Sequence, residues 1–509
     1  MPFHSILFDR PSPGAGAEEA PDCLSDLNLD QVVAAVVSGR EEYGLEAIFR
    51  APQCEPECVE YRQEIMRDLT PEGARQAVKE FSAAMQAVRG HLAVAERAGV
   101  KVQAGRWLLD AAAVYCDAVV SLRERLEQVK PVSRGLVALL EHLREYTAGT
   151  AFESLHTDTR TQRRALEDVQ YNLHINAGGI TVSRYGGESD YSAEVEKAFA
   201  KVRRDAARDY RSSPRPRSSL DLVEARLLEI VVRLFPKVFT GLEGYCERHR
   251  SFLDESLERF DREVQFYVAF LDFIEPLQEA GVTFCYPQVS AASKEEAVRD
   301  GVDLALALKL HQEGGRPVGN SFRLAGPERA LVVTGPNGGG KTTFARMFGQ
   351  LHYLAGLGCP VPAGEARLFL PDRVLTHFAK QERAADQRSE LEGELLQARR
   401  VLEQATERSV VVMNEGFAST TLHDARLIGS QVLEALLRRG VLCVYVTFVD
   451  ELASLSEATV SMVGQVDPGD PARRTFRIAR EPASGLAHAA AIADQFGLGY
   501  ERLRERLAR

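Results

Sequence analysis

A chain that contains ALVVTGPNGGGKTT at residues 330–343 has little freedom in what surrounds that stretch. A short apolar run, Ala330 to Thr334, has strand composition. It leads without a gap into Gly335-Pro336-Asn337-Gly338-Gly339-Gly340-Lys341-Thr342, which satisfies the phosphate-loop pattern G-x-x-x-x-G-K-[ST]. Glycines let successive backbone N–H groups turn inward on an anion, and the following helix presents partial positive charge at its N-terminus. Lys341 then reaches the β- and γ-phosphates of a nucleotide. Thr342 offers a hydroxyl to Mg²⁺, with Thr343 beside it at the helix start. A chance glycine-rich turn would not bring a strand before it and a helix, residues 344–357, after it.

Composition sets outer limits. At 509 residues the length prior is roughly three or four domains. With 45% hydrophobic and 27% charged residues the chain reads as globular. No run approaches the roughly 18 uninterrupted apolar residues of a membrane span. MPFHSILFDR lacks a basic region followed by an apolar core, so a cytoplasmic location is expected. The eight cysteines are scattered, and Cys54 and Cys58 have no second ligand pair, so reduced thiols are expected. A net charge of −11 excludes coating nucleic acid by bulk charge and leaves only a local basic surface for that purpose.

Along the chain, residues 1–23 are expected to be a flexible leader, with PSPGAGAEEA at 11–20. A helical region is expected over 24–290. Its apolar residues recur at three- and four-residue spacing through 24–69, 72–98, 107–129 and 133–146. A glycine-bearing stretch, HINAGGITVSRYGGESDYS, predicts a small hairpin within an insert at 171–217. Residues 201–217 hold Lys201, Arg203, Arg204, Arg208, Arg211, Arg215 and Arg217 against Asp205 and Asp209. Such a run serves either phosphate-backbone contact or a solvated helix end and turn. Residues 241–281 read as one long helix with a heptad seam of Leu253, Leu257, Phe260, Val264, Tyr267, Leu271 and Ile274, ended or kinked by Pro276. From 291 to 509 short apolar runs alternate with helices, the pattern of an α/β domain. The predicted strands there are 330–334, 410–413 and 441–447.

The run SVVVM at 409–413 ends in Asn414-Glu415. A buried strand ending in an acidic pair is the usual second half of a phosphate-loop site, where one group supports Mg²⁺ and the other orients the attacking water. Here the first is an amide, whose oxygen still faces Mg²⁺ without a charge. Glu415 is the residue expected to act on water.

GPNGGGKTT, RSELEGELLQARRVLEQAT, VVVMNEGFASTT and VYVTFVDELASL, in this order, resemble the ATPase domain of the MutS family, an ABC-type branch that acts on DNA. The resemblance covers residues 318 to 509, including a tail similar to the family's dimerising helices. DLNLDQ, YRQEIMRDL and the helix leading to YPQVS resemble, more weakly, its helical core and lever. The resemblance implies a multidomain fold, mainly α-helical core and lever followed by an ABC-type ATPase. It also implies ATP and Mg²⁺ as cofactors, nucleotide contact by Asn337, Lys341 and Thr342, and Ser389 reaching the ATP of a partner subunit. The departures are Asn414 for an aspartate, Phe448 for a histidine, and Phe417-Ala418-Ser419-Thr420-Thr421 for GRGTS. They imply slow hydrolysis with ATP binding retained. Nothing before Leu24 matches the mismatch-reading domain, and Phe273-Ile274-Glu275 lies in the heptad seam as core. The expected protein is a homodimeric, ATP-gated clamp on duplex, mismatched or branched DNA, with sequence-independent contacts, in DNA repair or recombination control. The alternative is a nucleotide-gated scaffold for a protein or ribosomal partner. A chromosome-maintenance ATPase is disfavoured, because no long coiled coil interrupts the domain and QRSELEGEL stands where LSGGQ would.

Overall fold

The computed structural model describes residues 3–10, 21–176, 179–187, 222–378, 390–467 and 469–483. Two compact units share them. One holds residues 72–131 and 138–261, and the other residues 4–71, 132–137 and everything from Arg262 onward. The sequence pattern changes near Ser290, but packing divides the chain elsewhere. Residues 4–71 belong with the α/β domain.

The first unit is helical. Glu72–Arg97 and Lys101–Val129 form a helical hairpin across a three-residue turn. Alanines at 74, 77, 111, 112 and 113 are buried, so the backbones can approach closely. Helices Arg134–Ala148, Thr150–Glu167, Leu222–Leu234 and Pro236–Arg248 complete it. Strands β1 (Tyr171–Asn176) and β2 (Gly179–Arg184) pair antiparallel, the hairpin that the glycine-bearing stretch predicts. The single helix expected over 241–281 is instead two, Pro236–Arg248 and Glu255–Glu279. The break has a local cause: the Asp254 carboxylate accepts hydrogen bonds from Ser256 N and Leu257 N, at 2.9 and 3.0 Å, and so restarts the helix. Pro276 neither ends it nor marks its limit, because the helix continues to Glu279. The predicted seam is buried from Leu257 to Ile274, but Phe266, Val268, Ala269 and Phe270 are buried as well. Every residue from Val264 to Leu271, in the part of the helix that belongs to the second unit, is buried, so that part is enclosed on all sides rather than packed along a single apolar stripe.

The second unit has two sheets. Strands β3 (Gln288–Ser290), β4 (Glu296–Gly301), β5 (Asn320–Leu324) and β7 (Glu365–Phe369) form a sheet of order β3-β7-β4-β5. Strands β6 (Ala330–Thr334), β8 (Val374–Phe378), β9 (Val410–Asn414), β10 (Leu442–Val446), β11 (Thr459–Asp467) and β12 (Asp470–Arg480) form the larger sheet, of order β12-β11-β6-β10-β9-β8. All its pairs are parallel except β11 with β12. Strands β6, β9 and β10 are buried at every position, as a parallel sheet covered on both faces requires. Alternate residues (Val411, Met413, Cys443, Tyr445) join a core with helices Glu390–Gln404 and Leu422–Arg438.

Helix Lys341–Leu357 is covered along its length, with every residue from Phe344 to Leu357 buried except Arg346. The N-terminal segment supplies much of that cover. Gln350 donates to Leu27 O, Arg346 to Asp26 O, Tyr353 to Phe49 O, and Gln53 N to Gly356 O. Residues 4–8 thread into the same core: Tyr61 donates to Ser5 O, Tyr267 to Ile6 O and Arg62 to Leu7 O. Arg62, fully enclosed, also donates to Leu357 O at the helix C-terminus, where a cation is favoured. A side chain on Gly349 would stand 2.6 Å from Leu27 Cδ2 and 3.1 Å from Val412 Cγ2. Gly349→Ala should therefore cost about 1–3 kcal/mol, and Leu27→Val should recover part of that loss. Chemical unfolding of the single and double variants checks this; an unaltered midpoint for Gly349→Ala would show that the N-terminal cover does not press on the helix.

Candidate nucleotide site

The site assembles at the C-terminal ends of the parallel strands, where open α/β sheets bind ligands. Strand β10 sets the register. Val446 pairs with Val333 on one side and with Asn414 on the other, so Asn414 lies two strands from the end of β6, about 10 Å across the sheet. The phosphate loop leaves β6 at Gly335, which adopts φ 120°, and a Cβ there would come within 2.8 Å of Gly464 N on β11. Only glycine fits that approach. Gly340 caps the helix N-terminus at φ 94° against the main chain of Phe476, itself held at φ 58° and half exposed. Asn320 fixes that part of β12, donating to Phe476 O and accepting from Ile478 N.

Lys341 is 4% exposed, with its ammonium inside the loop. It donates to Gly335 O at 3.0 Å, Pro336 O at 3.3 Å and Asn337 Oδ1 at 3.0 Å, and it lies 4.0 Å from Glu415 Oε1. Burial pushes its pKa down, the Glu415 carboxylate opposes that, and Arg474 adds to it. The loop oxygens are neutral apart from this carboxylate, so an anion placed among them would restore the charge balance that burial removes. Thr342 and Thr343 are half-buried in the first helical turn. Asn414 is 8% exposed, and its Oδ1 is buried with no hydrogen-bond partner among the described residues. A buried carbonyl oxygen left in that state costs free energy unless something binds it. An oxygen-seeking cation such as Mg²⁺ fits that donor.

The turn after β9 is strained. Glu415 has φ 53° and Phe417 φ 64°, positions that cost about 1–3 kcal/mol each for non-glycine residues. The turn is pinned by Glu415 N donating to Val446 O at 3.0 Å and by full burial of Phe417. It ends at Thr421, whose hydroxyl accepts from Asp424 N and caps helix Leu422–Arg438. Phe448, just after β10, is 45% exposed.

The structure thus brings together the phosphate loop, Lys341, Thr342, Asn414 and Glu415. Ser389 lies outside the described residues, as do Lys201, Arg203, Arg204, Arg208, Arg211, the rest of the basic run, and the tail from 484. Two residues near the turn were not singled out from sequence, His377 on β8 and Glu394, and Ser419 was named only as part of the departure from GRGTS. Only the fold brings them together, although a histidine in an apolar strand run was a visible signal. Among the described residues no cluster of metal-ligating side chains occurs, and no helix is long and apolar enough to cross a membrane.

The family model for MutS domain V matches residues 331–467, which run from the phosphate-loop strand through β11. Over this domain the chain is similar to the MutS family. The DNA mismatch repair protein MutS of Oleidesulfovibrio alaskensis is 32% identical over 177 residues, 32% of this chain and 19% of that protein. That of Zymomonas mobilis is 36% identical over 148 residues, 29% and 17%. DNA mismatch repair protein msh-3 of Neurospora crassa is 36% identical over 132 residues, 26% and 12%. The alignments therefore span less than a fifth of these curated relatives. The likeness to MutS proteins is carried by the nucleotide domain.

Behind the site, His352 on the phosphate-loop helix meets Glu296 on β4 at 2.6 Å, with both side chains fully enclosed. His352 Nδ1 donates to Phe348 O, and Glu296 Oε1 also accepts from Phe369 N. Burial disfavours the imidazolium, but the charge and hydrogen bond of Glu296 outweigh it, and the His352 pKa is raised. The stability this group contributes is complete below the unfolded imidazole value of about 6.5 and is lost as pH rises through the raised value. Wild-type protein should lose stability relative to His352→Gln across that window. Parallel slopes for the two proteins in unfolding measured from pH 6 to 9 would refute the linkage.

Proposed function

We propose that this protein is an ATP-binding ATPase of the MutS type that works on DNA. The observation that carries the reading is the convergence of a buried Lys341, Glu415 at 4.0 Å from it, and the unpartnered Asn414 oxygen at one end of the sheet. The loop N–H groups from Gly335 to Thr343 and the Lys341 ammonium bind and orient the nucleotide phosphates. Thr342, Asn414 and Glu415 would hold Mg²⁺, which supplies charge neutralisation at the phosphates when bound. Glu415 orients the attacking water and accepts its proton on the carboxylate, and the strained turn fixes where that carboxylate stands. With an amide at Asn414 and phenylalanine at Phe448, hydrolysis is slow while binding is retained.

The protein acts as a homodimer in the cytoplasm, with Ser389 of each subunit facing the nucleotide held by Lys341 of the other. ATP closes the pair on duplex, mismatched or branched DNA through sequence-independent contacts, with the run from Lys201 to Arg217 among them. The match to MutS domain V and the names of the relatives support DNA as the target. The net charge of −11 and the changes at Asn414 and Phe448 favour a second reading, a nucleotide-gated scaffold on a protein or ribosomal partner.

The measurements are ATP turnover and DNA binding at two salt concentrations, with and without a non-hydrolysable ATP analogue. Lys341→Ala should abolish nucleotide binding, Glu415→Gln should abolish turnover alone, and Asn414→Asp should speed turnover. Turnover indifferent to Glu415→Gln defeats the catalytic reading. DNA binding absent at both salts moves the assignment to the scaffold.

A further inference from the structure

We infer that Glu394 is the positioning residue for Glu415, holding the turn that carries it through two separate polar groups. The inference rests on the reading of Glu415 as the water-orienting group. Glu394 lies in helix Glu390–Gln404 and is 5% exposed. Its main-chain oxygen lies 3.1 Å from His377 Nε2, and its carboxylate Oε2 accepts from Ser419 Oγ at 2.9 Å. A carbonyl oxygen only accepts, so His377 carries its proton on Nε2 and donates. One residue thus fixes the orientation of His377 and the far end of the turn together.

His377 is the support on which the turn rests. It lies on β8 opposite Met413 of β9 and is fully buried. A side chain on Gly416 would come within 3.3 Å of its Cε1, so the turn sits directly on the ring. The same ring packs against Phe417 at 5.8 Å between centroids. Burial lowers the His377 pKa and keeps the ring neutral in this apolar setting. The turn from Glu415 to Ser419 therefore has three fixed points: Val446 O behind Glu415, His377 beneath Gly416 and Phe417, and Glu394 at Ser419. Two of the three are set by Glu394. The residues it holds flank Glu415 and do not include it; a substitution at Glu394 keeps the main-chain contact to His377 and removes only the carboxylate contact to Ser419, which frees that end of the turn, and with it the direction of the Glu415 carboxylate, without touching the phosphate loop.

The test measures kcat, KM for ATP, affinity for a non-hydrolysable analogue and thermal midpoint. The proteins are wild type, Ser419→Ala, Glu394→Ala, Glu394→Gln and the Ser419→Ala/Glu394→Ala double variant, with Glu415→Gln as reference. Ser419→Ala and Glu394→Ala should each lower kcat about tenfold with KM and analogue affinity within about twofold of wild type. The double variant should be no slower than Glu394→Ala, and Glu394→Gln, which keeps an oxygen for Ser419, should recover most of the rate. Should Glu394→Ala fail to fold, the exposed Ser419 and the isosteric Gln variant still decide the matter. Unchanged kcat in Ser419→Ala, losses that multiply in the double variant, or parallel losses of affinity overturn the inference. Failure of the underlying reading looks different: Glu415→Gln then turns over like wild type, and the inference falls with it.

Discussion

The enclosure of helix Lys341–Leu357 is the constraint on which the second unit depends. Phosphate loops need a rigid helix N-terminus, because binding strength comes from N–H groups already aimed at the ligand. Here rigidity comes from contact on every side. The sheet takes one side through Val412 and its neighbours, Glu296 of the small sheet grips His352, and the N-terminal segment closes the remainder. Three glycines make this possible by letting Leu27, Pro52 and Arg62 stand where side chains would be, at 349, 356 and 358. Polar groups in the interface are matched to partners: Gln350 serves the main-chain Leu27 O and Leu304 N and the Asp303 carboxylate at once. Such a network favours one register between cover and helix, since a shift leaves several buried groups unpaired.

Much of the nucleotide end was legible in the sequence. The phosphate loop, the strands at 330–334 and 410–413 (one residue short of the observed β9), the unusual amide at Asn414 and the carboxylate at Glu415 all follow from local pattern, because each depends on neighbours within a few residues. What local pattern misses is contact over long sequence separation. Nothing in DLNLDQ or in Arg62 announces a partner near residue 350, and nothing in Glu394 announces Ser419. The helix over 241–281 failed for a related reason. Heptad spacing persisted through a break that one capping aspartate imposes. The hairpin at Tyr171–Arg184 was readable from its glycines and short β-type runs.

The turn after β9 shows how a departure from a family pattern can be structural as well as chemical. Where GRGTS has glycines, this chain has Phe417 and Ser419. Phenylalanine at φ 64° is an expensive choice that glycine would relieve, but its ring is buried against His377 and its cost is offset by that burial. The turn gains a fixed shape at the expense of backbone ease.

Nesting of the two units has a consequence for synthesis. Apart from residues 1–3, the first unit lies within the stretch from 72 to 261, interrupted there by six residues of the second, so its contacts can form as soon as that stretch has left the ribosome. The second cannot close then. Residues 4–71 must wait, with Ile6, Leu27 and Phe49 uncovered, for strands that are made more than two hundred residues later. At typical translation rates that wait is roughly ten to forty seconds. During it the nascent chain carries a finished helical unit between an apolar front segment and an unfinished sheet, the kind of surface that chaperones exist to shield.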